Sequence, residues 1–144
     1  MVNPNLLRIA EQFGHDMIIE PKKKNVEILT AEEVLVFGST DGVYAYNNNQ
    51  AVRIAERDRW VNALAVYNGE LYDGGNYGKV FRTLTGEAVA ERNEWVRALA
   101  VCGGVLYDGG SYGIFKTMTD EPIITNQSVF SMISMPKKSL GRED

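Results

Sequence analysis

Apolar residues in this chain fall in short runs, each closed by turn-forming dipeptides, a strand pattern too interrupted for helices of ordinary length. Between Val61 and Ala90 there are four such runs: Val61 to Tyr67, Glu70 to Gly74, Lys79 to Thr83 and Glu87 to Ala90. Asn68-Gly69 separates the first two, and Gly103-Gly104 stands in the same place one repeat later. Both dipeptides suit the positive φ of a tight hairpin turn. Gly-Asn-Tyr-Gly and Gly-Ser-Tyr-Gly link the second and third runs, and the third and fourth meet at Thr85-Gly86 or Thr119-Asp120. The first run, with Val61, Ala63, Leu64, Ala65 and Val66, is nearly all small and apolar, which predicts a strand buried on both faces.

The pattern repeats. Trp60-Val61-Asn62-Ala63-Leu64-Ala65-Val66 returns 35 residues later as Trp95-Val96-Arg97-Ala98-Leu99-Ala100-Val101. Leu71-Tyr72-Asp73-Gly74-Gly75-Asn76-Tyr77-Gly78 returns as Leu106-Tyr107-Asp108-Gly109-Gly110-Ser111-Tyr112-Gly113. After a one-residue deletion, Val80-Phe81-Arg82-Thr83 matches Ile114-Phe115-Lys116-Thr117. A diverged copy begins at Val26, with Phe37 where the others have Asp73 and Asp108, and a truncated start, Asn126 to Ile133, aligns on Asn93 to Ala100. The units are therefore 26–57, 58–92 and 93–125, with a partial unit at 126–135, an N-terminal extension at 1–25 and a flexible tail at 136–144, all in one domain.

Four-stranded antiparallel meanders of this order resemble the blades of β-propellers of the WD-repeat and NHL type. The resemblance covers about residues 26 to 135, without the Gly-His and Trp-Asp dipeptides of true WD repeats and with a shorter period. It implies an all-β propeller-like fold with Ala63, Ala65, Ala98 and Ala100 beside a central channel. Three units and a fraction do not complete a ring of about four to eight blades. Either Met17-Ile18-Ile19 and Ser128 to Met132 share a blade within one chain, or several chains close the ring as a homo-oligomer. The alternative fold is a β-trefoil, which closes three four-stranded units within one chain. In the extension, Asn3-Pro4 with Leu6, Ile9, Ala10 and Phe13 on one face predicts a short helix ending at Gly14. A strand is the alternative there, because Leu7 to Glu11 echoes Val52 to Glu56.

Composition narrows the function more by exclusion. At 144 residues, 44% hydrophobic and 24% charged, the chain has neither a disordered nor a membrane-spanning composition. A net charge of −4, with Lys22-Lys23-Lys24 as the local basic run, gives no general attraction to nucleic acid or anionic lipid. The N-terminus has no export-signal pattern, so a cytoplasmic location is expected. One cysteine and one histidine leave no disulfide framework and no metal set, and no cofactor is expected. Cys102, equivalent to Tyr67, reads as a small core residue, and His15 as a residue without a ligand role. The Gly74 to Gly78 loop lacks the Lys-Ser/Thr of a phosphate loop. Asp73 and Asp108 are expected to bond nearby turn amides; as paired acids of an enzyme they are the least favoured reading.

What remains is recognition. In a meander blade the link into the first strand and the turn between the second and third strands emerge at one end. That end would carry Arg57, Arg59, Trp60, Arg92, Glu94 and Trp95 with Asn76, Tyr77, Ser111 and Tyr112, a composition suited to interaction hot spots. Trp60 and Trp95 are expected to wedge between blades, leaving Tyr77 and Tyr112 as the exposed pair. The reading is a non-catalytic scaffold that binds a protein partner or itself. The alternative is a small oligomeric lectin with glycan pockets between repeats.

Overall fold

The computed structural model describes residues 33–141. The expected strand of the first unit at Val26, the N-terminal helix or strand, Met17 to Ile19, the Lys22 to Lys24 run and His15 lie outside the described residues. The first sheet holds β1 (Leu35–Gly38), β2 (Gly42–Asn47) and β3 (Gln50–Glu56) in that order. The second holds β4 (Val61–Tyr67), β5 (Glu70–Gly75), β6 (Lys79–Arg82) and β7 (Glu87–Glu91), and the third β8 (Val96–Cys102), β9 (Val105–Gly110), β10 (Gly113–Lys116) and β11 (Glu121–Ile124). Every pairing is antiparallel between chain neighbours, so each unit is a meander. Among the described residues there is no α-helix, and the sheets do not close on one another.

The turns act as their sequences require. Asn68 and Gly69 have φ of 50° and 75°, and Gly103 and Gly104 have 58° and 77°. Both pairs have the double positive φ that matches the twist of hairpin strands. Asn48 (54°) and Asn49 (63°) form the corresponding turn between β2 and β3.

The cores are the layers between sheets. Val43, Ala45 and Ile54 of the first sheet meet Val61 of the second, with Leu64 and Leu71 packed alongside. Tyr72, Val80 and Ala90 of the second meet Val96, Leu99 and Leu106 of the third. Val43, Val80, Val96 and Leu106 are completely buried, each contributing about 1.5–3 kcal/mol of hydrophobic stabilisation. The spacing of the layers is set by glycine. A Cβ on Gly38 would lie 2.5 Å from Val61 Cγ1, and one on Gly74 2.5 Å from Val96 Cγ1. On Gly109 it would lie 2.9 Å from Val129 Cγ1. Three equivalent glycines thus each receive the valine that opens the following unit.

That third contact places the partial unit. Val129 donates its backbone N–H to Gly110 O at 2.9 Å, as Val61 donates to Ser39 O at 2.9 Å. Val129 and the end of Met132 both lie against Gly109, and residues 129–133 form no ladder pairs. The tail carries one turn of 3-10 helix, Lys137–Leu140, with no buried residue.

The expectation of a first strand buried on both faces fits β8 and not β4. Val96, Ala98 and Leu99 are buried, whereas Asn62 and Val66 are exposed. Leu64 of β4 packs with the first-sheet core, whereas Asn62 is directed to the third sheet, where its Nδ2 donates to Val96 O at 3.1 Å.

Candidate functional site

Of the residues expected to share one end of the units, Arg57 and Tyr77 meet at one buried carboxylate, Asp73, and Arg92 and Tyr112 at another, Asp108. Asp73 in β5 pairs with Leu64 on one side and Phe81 on the other, on the face turned to the first sheet. Its side chain is fully buried. Arg57, in the link from β3 to β4, reaches it with two parallel bonds, Nε to Oδ2 at 2.9 Å and Nη2 to Oδ1 at 2.9 Å. The Thr83 hydroxyl donates to Oδ1 at 2.7 Å, and the Tyr77 hydroxyl donates to Oδ2. Arg57 also donates to Glu56 O at 2.7 Å, and its guanidinium lies 4.4 Å from the Phe81 ring centroid.

Asp108 repeats the arrangement in the third sheet. Arg92 donates Nε at 2.8 Å and Nη2 at 3.0 Å, Tyr112 its hydroxyl at 2.7 Å, and Thr117 its hydroxyl at 2.7 Å. Arg92 sits 4.3 Å from the Phe115 ring centroid and gains a further carboxylate, Asp120, at 2.8 Å. A cavity of about 300 Å³ opens beside this set, lined by Glu91, Arg92, Asn93, Tyr112, Phe115 and Asp120. In the first sheet Phe37 holds the aspartate position and stacks on Tyr44, with centroids 5.3 Å apart and planes 7° from parallel.

Electrostatics follow from this burial. Desolvation first, then the charge of Asp73 and the hydrogen bond to it, push the Tyr77 phenol far above its ordinary range. Tyr112 is raised in the same way by burial and Asp108. Burial works against the Arg92 charge, but Asp108 and Asp120 outweigh it and raise its pKa. Each carboxylate is satisfied by side chains, so the expected bonds to turn amides are not what holds it. A bidentate guanidinium and two hydroxyls offset the desolvation of a buried carboxylate more fully than turn amides alone.

The two arginines and two tyrosines expected to present themselves to a ligand are therefore engaged within the protein. The Arg57 and Arg92 side chains are only 9% and 5% exposed, and both tyrosines are half-buried. The tryptophans are the exposed pair, Trp60 at 58% and Trp95 at 45%, which reverses the expected assignment. They precede the valine that packs on glycine, so the valine fills the inter-sheet layer and the tryptophan is left outside it. Asn76 and Ser111 lie on the same turns as the tyrosines; Asn76 donates its backbone N–H to Trp60 O at 2.9 Å. Asn76 Oδ1 also accepts from Asn62 Nδ2 at 2.8 Å.

Cys102 is exposed at the end of β8, not a core residue. At the equivalent position Tyr67 gains burial by reaching the Tyr72 ring, 5.9 Å between centroids, a span a thiol cannot cover. Thr83 and Thr117 are the members of the clusters that sequence reasoning missed. Their signal was a repeated spacing: each arginine lies 16 residues before its aspartate, each tyrosine four after it, and the threonine ten or nine after it.

Among the described residues no three His, Cys, Asp or Glu side chains converge on a point that would hold a metal ion. None of the described helical segments is long and apolar enough to cross a membrane. No protein-family model matches the sequence, and no curated protein matches it. Among solved structures the chain is similar to the computationally designed Ika4 protein, at 18% identity over 74% of each chain with a TM-score of 0.47. It is also similar to the computationally designed Ika8 protein, at 18% identity over 70% of this chain and 37% of that one, with a TM-score of 0.46.

Proposed function

We propose that the protein is a non-catalytic, self-associating scaffold, an arc of propeller-type blades that is completed by a second copy. The observation that carries this reading is the chemistry of the first sheet's outward face. Leu35 is 65% exposed, Phe37 37% and Tyr46 41%, and Leu35↔Tyr46 and Phe37↔Tyr44 are cross-strand partners on that face. The equivalent rows in the other sheets, Asp73 with Phe81 and Asp108 with Phe115, are covered by the sheet before them. The first sheet therefore presents the receiving half of an interface that the chain builds twice internally.

The matching half is the far face of the third sheet, where Gly109 pairs with Ala98 and Ile114 and is already seated by Val129. Two different surfaces joined head to tail make a heterologous contact, which closes a ring when the rotation permits. Two chains of three sheets each fall in the range of about four to eight blades seen in propeller rings. Phe37 in place of aspartate, stacked on Tyr44, makes this face aromatic, which distinguishes it from the internal interfaces.

Exposed Trp60 and Trp95 at equivalent positions favour a second reading, a glycan-binding scaffold in which an indole stacks on a sugar ring. Loss of glycan-array binding in Trp60→Ala would support it. The assembly itself is tested with Leu35→Lys combined with Tyr46→Glu, which puts an opposite-charge pair on adjacent strands and keeps the sheet satisfied. Sedimentation velocity is expected to show a folded monomer for this variant and a larger species for the unaltered protein. The same mass for both would overturn the interface.

A further inference from the structure

The arginines among the described residues divide sharply. Arg53, Arg57, Arg82 and Arg92 each pair with a carboxylate: Asp41, Asp73, Glu70 with Glu87, and Asp108 with Asp120. Arg59 is exposed. Arg97 fits neither case. Its Nε, like that of Arg82, is withdrawn from solvent without a hydrogen-bond partner, but unlike Arg82 it has no ion pair with a carboxylate among the described residues. Its guanidinium is held between two aromatic rings, 5.3 Å from the Trp95 centroid and 5.1 Å from that of Phe130.

The position follows from the repeat. Asn62, Arg97 and Phe130 each follow the valine that seats on a glycine of the preceding unit, so they form successive rungs along the opening strands. The lowest rung is satisfied: Asn62 Nδ2 donates to Asn76 Oδ1 at 2.8 Å and to Val96 O at 3.1 Å. The middle rung is not. Beside it runs a groove of about 240 Å³, with Leu64, Leu99 and Met132 as its apolar wall, Asn62, Arg97 and Ser131 as its polar members, and no acidic residue in its lining.

Aromatic faces hold a guanidinium in plane and take part of its charge, but they accept none of the in-plane N–H bonds. Those donors have the fork geometry that a carboxylate meets with two parallel bonds. One cation is balanced by one negative charge, and the apolar wall takes up hydrocarbon. A phosphate dianion would leave excess charge and gain nothing from Leu64, Leu99 and Met132. We propose that this groove binds a small monocarboxylate with a short apolar body, its carboxylate on Arg97 and its hydrocarbon against the opening strands. The groove takes Met132 from the segment that seats on Gly109, so it borders the proposed head-to-tail interface, but its cation, Arg97, is no part of that interface.

The test is NMR of the full-length chain, following the arginine Nε–H resonances, with that of Arg97 assigned by its absence in Arg97→Lys. The probes are hexanoate, hexan-1-ol and inorganic phosphate. Hexanoate is expected to shift the Arg97 Nε–H and the Trp95 indole N–H saturably, phosphate to bind about tenfold more weakly or worse, and hexan-1-ol to leave Nε–H unmoved. Arg97→Lys, which keeps the charge and loses the fork, should weaken hexanoate binding about tenfold, and Arg97→Gln should abolish it while the remaining amide spectrum stays native. The proposal falls if hexanoate binds Arg97→Gln as well as the unaltered chain, or if phosphate matches hexanoate. It falls also if the Arg97 Nε–H does not respond to hexanoate, as it would if a carboxylate of the chain itself already occupied the groove.

Discussion

Replacing Asp73 with alanine tests whether the buried clusters hold the sheets together. The substitution removes the acceptor of four hydrogen bonds, two from Arg57 and one each from Tyr77 and Thr83. Arg57 is left with a side chain only 9% exposed, and breaking a buried pair from one side costs about 3–5 kcal/mol. Glu56 O and the Phe81 ring still engage the guanidinium, so the expected loss is about 4 kcal/mol rather than more. Against a total of about 5–15 kcal/mol this is a large share. Asp108→Ala should cost about 1 kcal/mol less, because Arg92 keeps Asp120, itself well exposed. Urea unfolding followed by the fluorescence of Trp60 and Trp95 measures both. In a double-mutant cycle with Arg57→Ala, the double variant should be about 3 kcal/mol more stable than the sum of the single losses predicts. Additive losses, or a cost for Asp73→Ala under about 1 kcal/mol, would refute the reasoning.

Gly74→Ala drives a methyl group to within 2.5 Å of Val96 Cγ1 and should destabilise by about 1–3 kcal/mol in urea unfolding. Gly109→Ala, facing Val129 at 2.9 Å and the end of the Met132 side chain at 3.3 Å, should cost less. Tyr77 and Tyr112 have raised pKa values when folded, so their neutral hydroxyls contribute stability that is complete below the unfolded value of about 10 and is lost as pH rises above it. Absorbance titration at alkaline pH should show these two phenols ionising only as the chain unfolds, and their ionisation in the native state would contradict this. Cys102 should react fully with an aromatic disulfide reagent in the native protein, and protection until urea is added would contradict its exposed position.

The strands were legible because local chemistry decides them. Asn68-Gly69 and Gly103-Gly104 fix two hairpins, and the run Val61 to Tyr67 is β4 residue for residue. The approach of Arg57 to Tyr77, and of Trp60 to Asn76, was legible too, since a meander brings the link and the turn to one end. Which of them face outward was not. Arg57, in the link between the first two sheets, lies 16 residues before Asp73 in the second, and only the stacking of those sheets, set by Gly38 against Val61, determines that the pair is buried. Cys102 illustrates the same limit, because equivalence with Tyr67 transfers a backbone position and not the reach of a side chain. Arg97 stands out only once Phe130, from the partial unit, is seen to cover it.

The most direct test of the scaffold is the solution mass of the unaltered chain, by light scattering coupled to size exclusion across a range of protein concentrations. Head-to-tail completion predicts a dimer or larger closed species whose mass holds on dilution. A mass of 16.0 kDa at every concentration would contradict it.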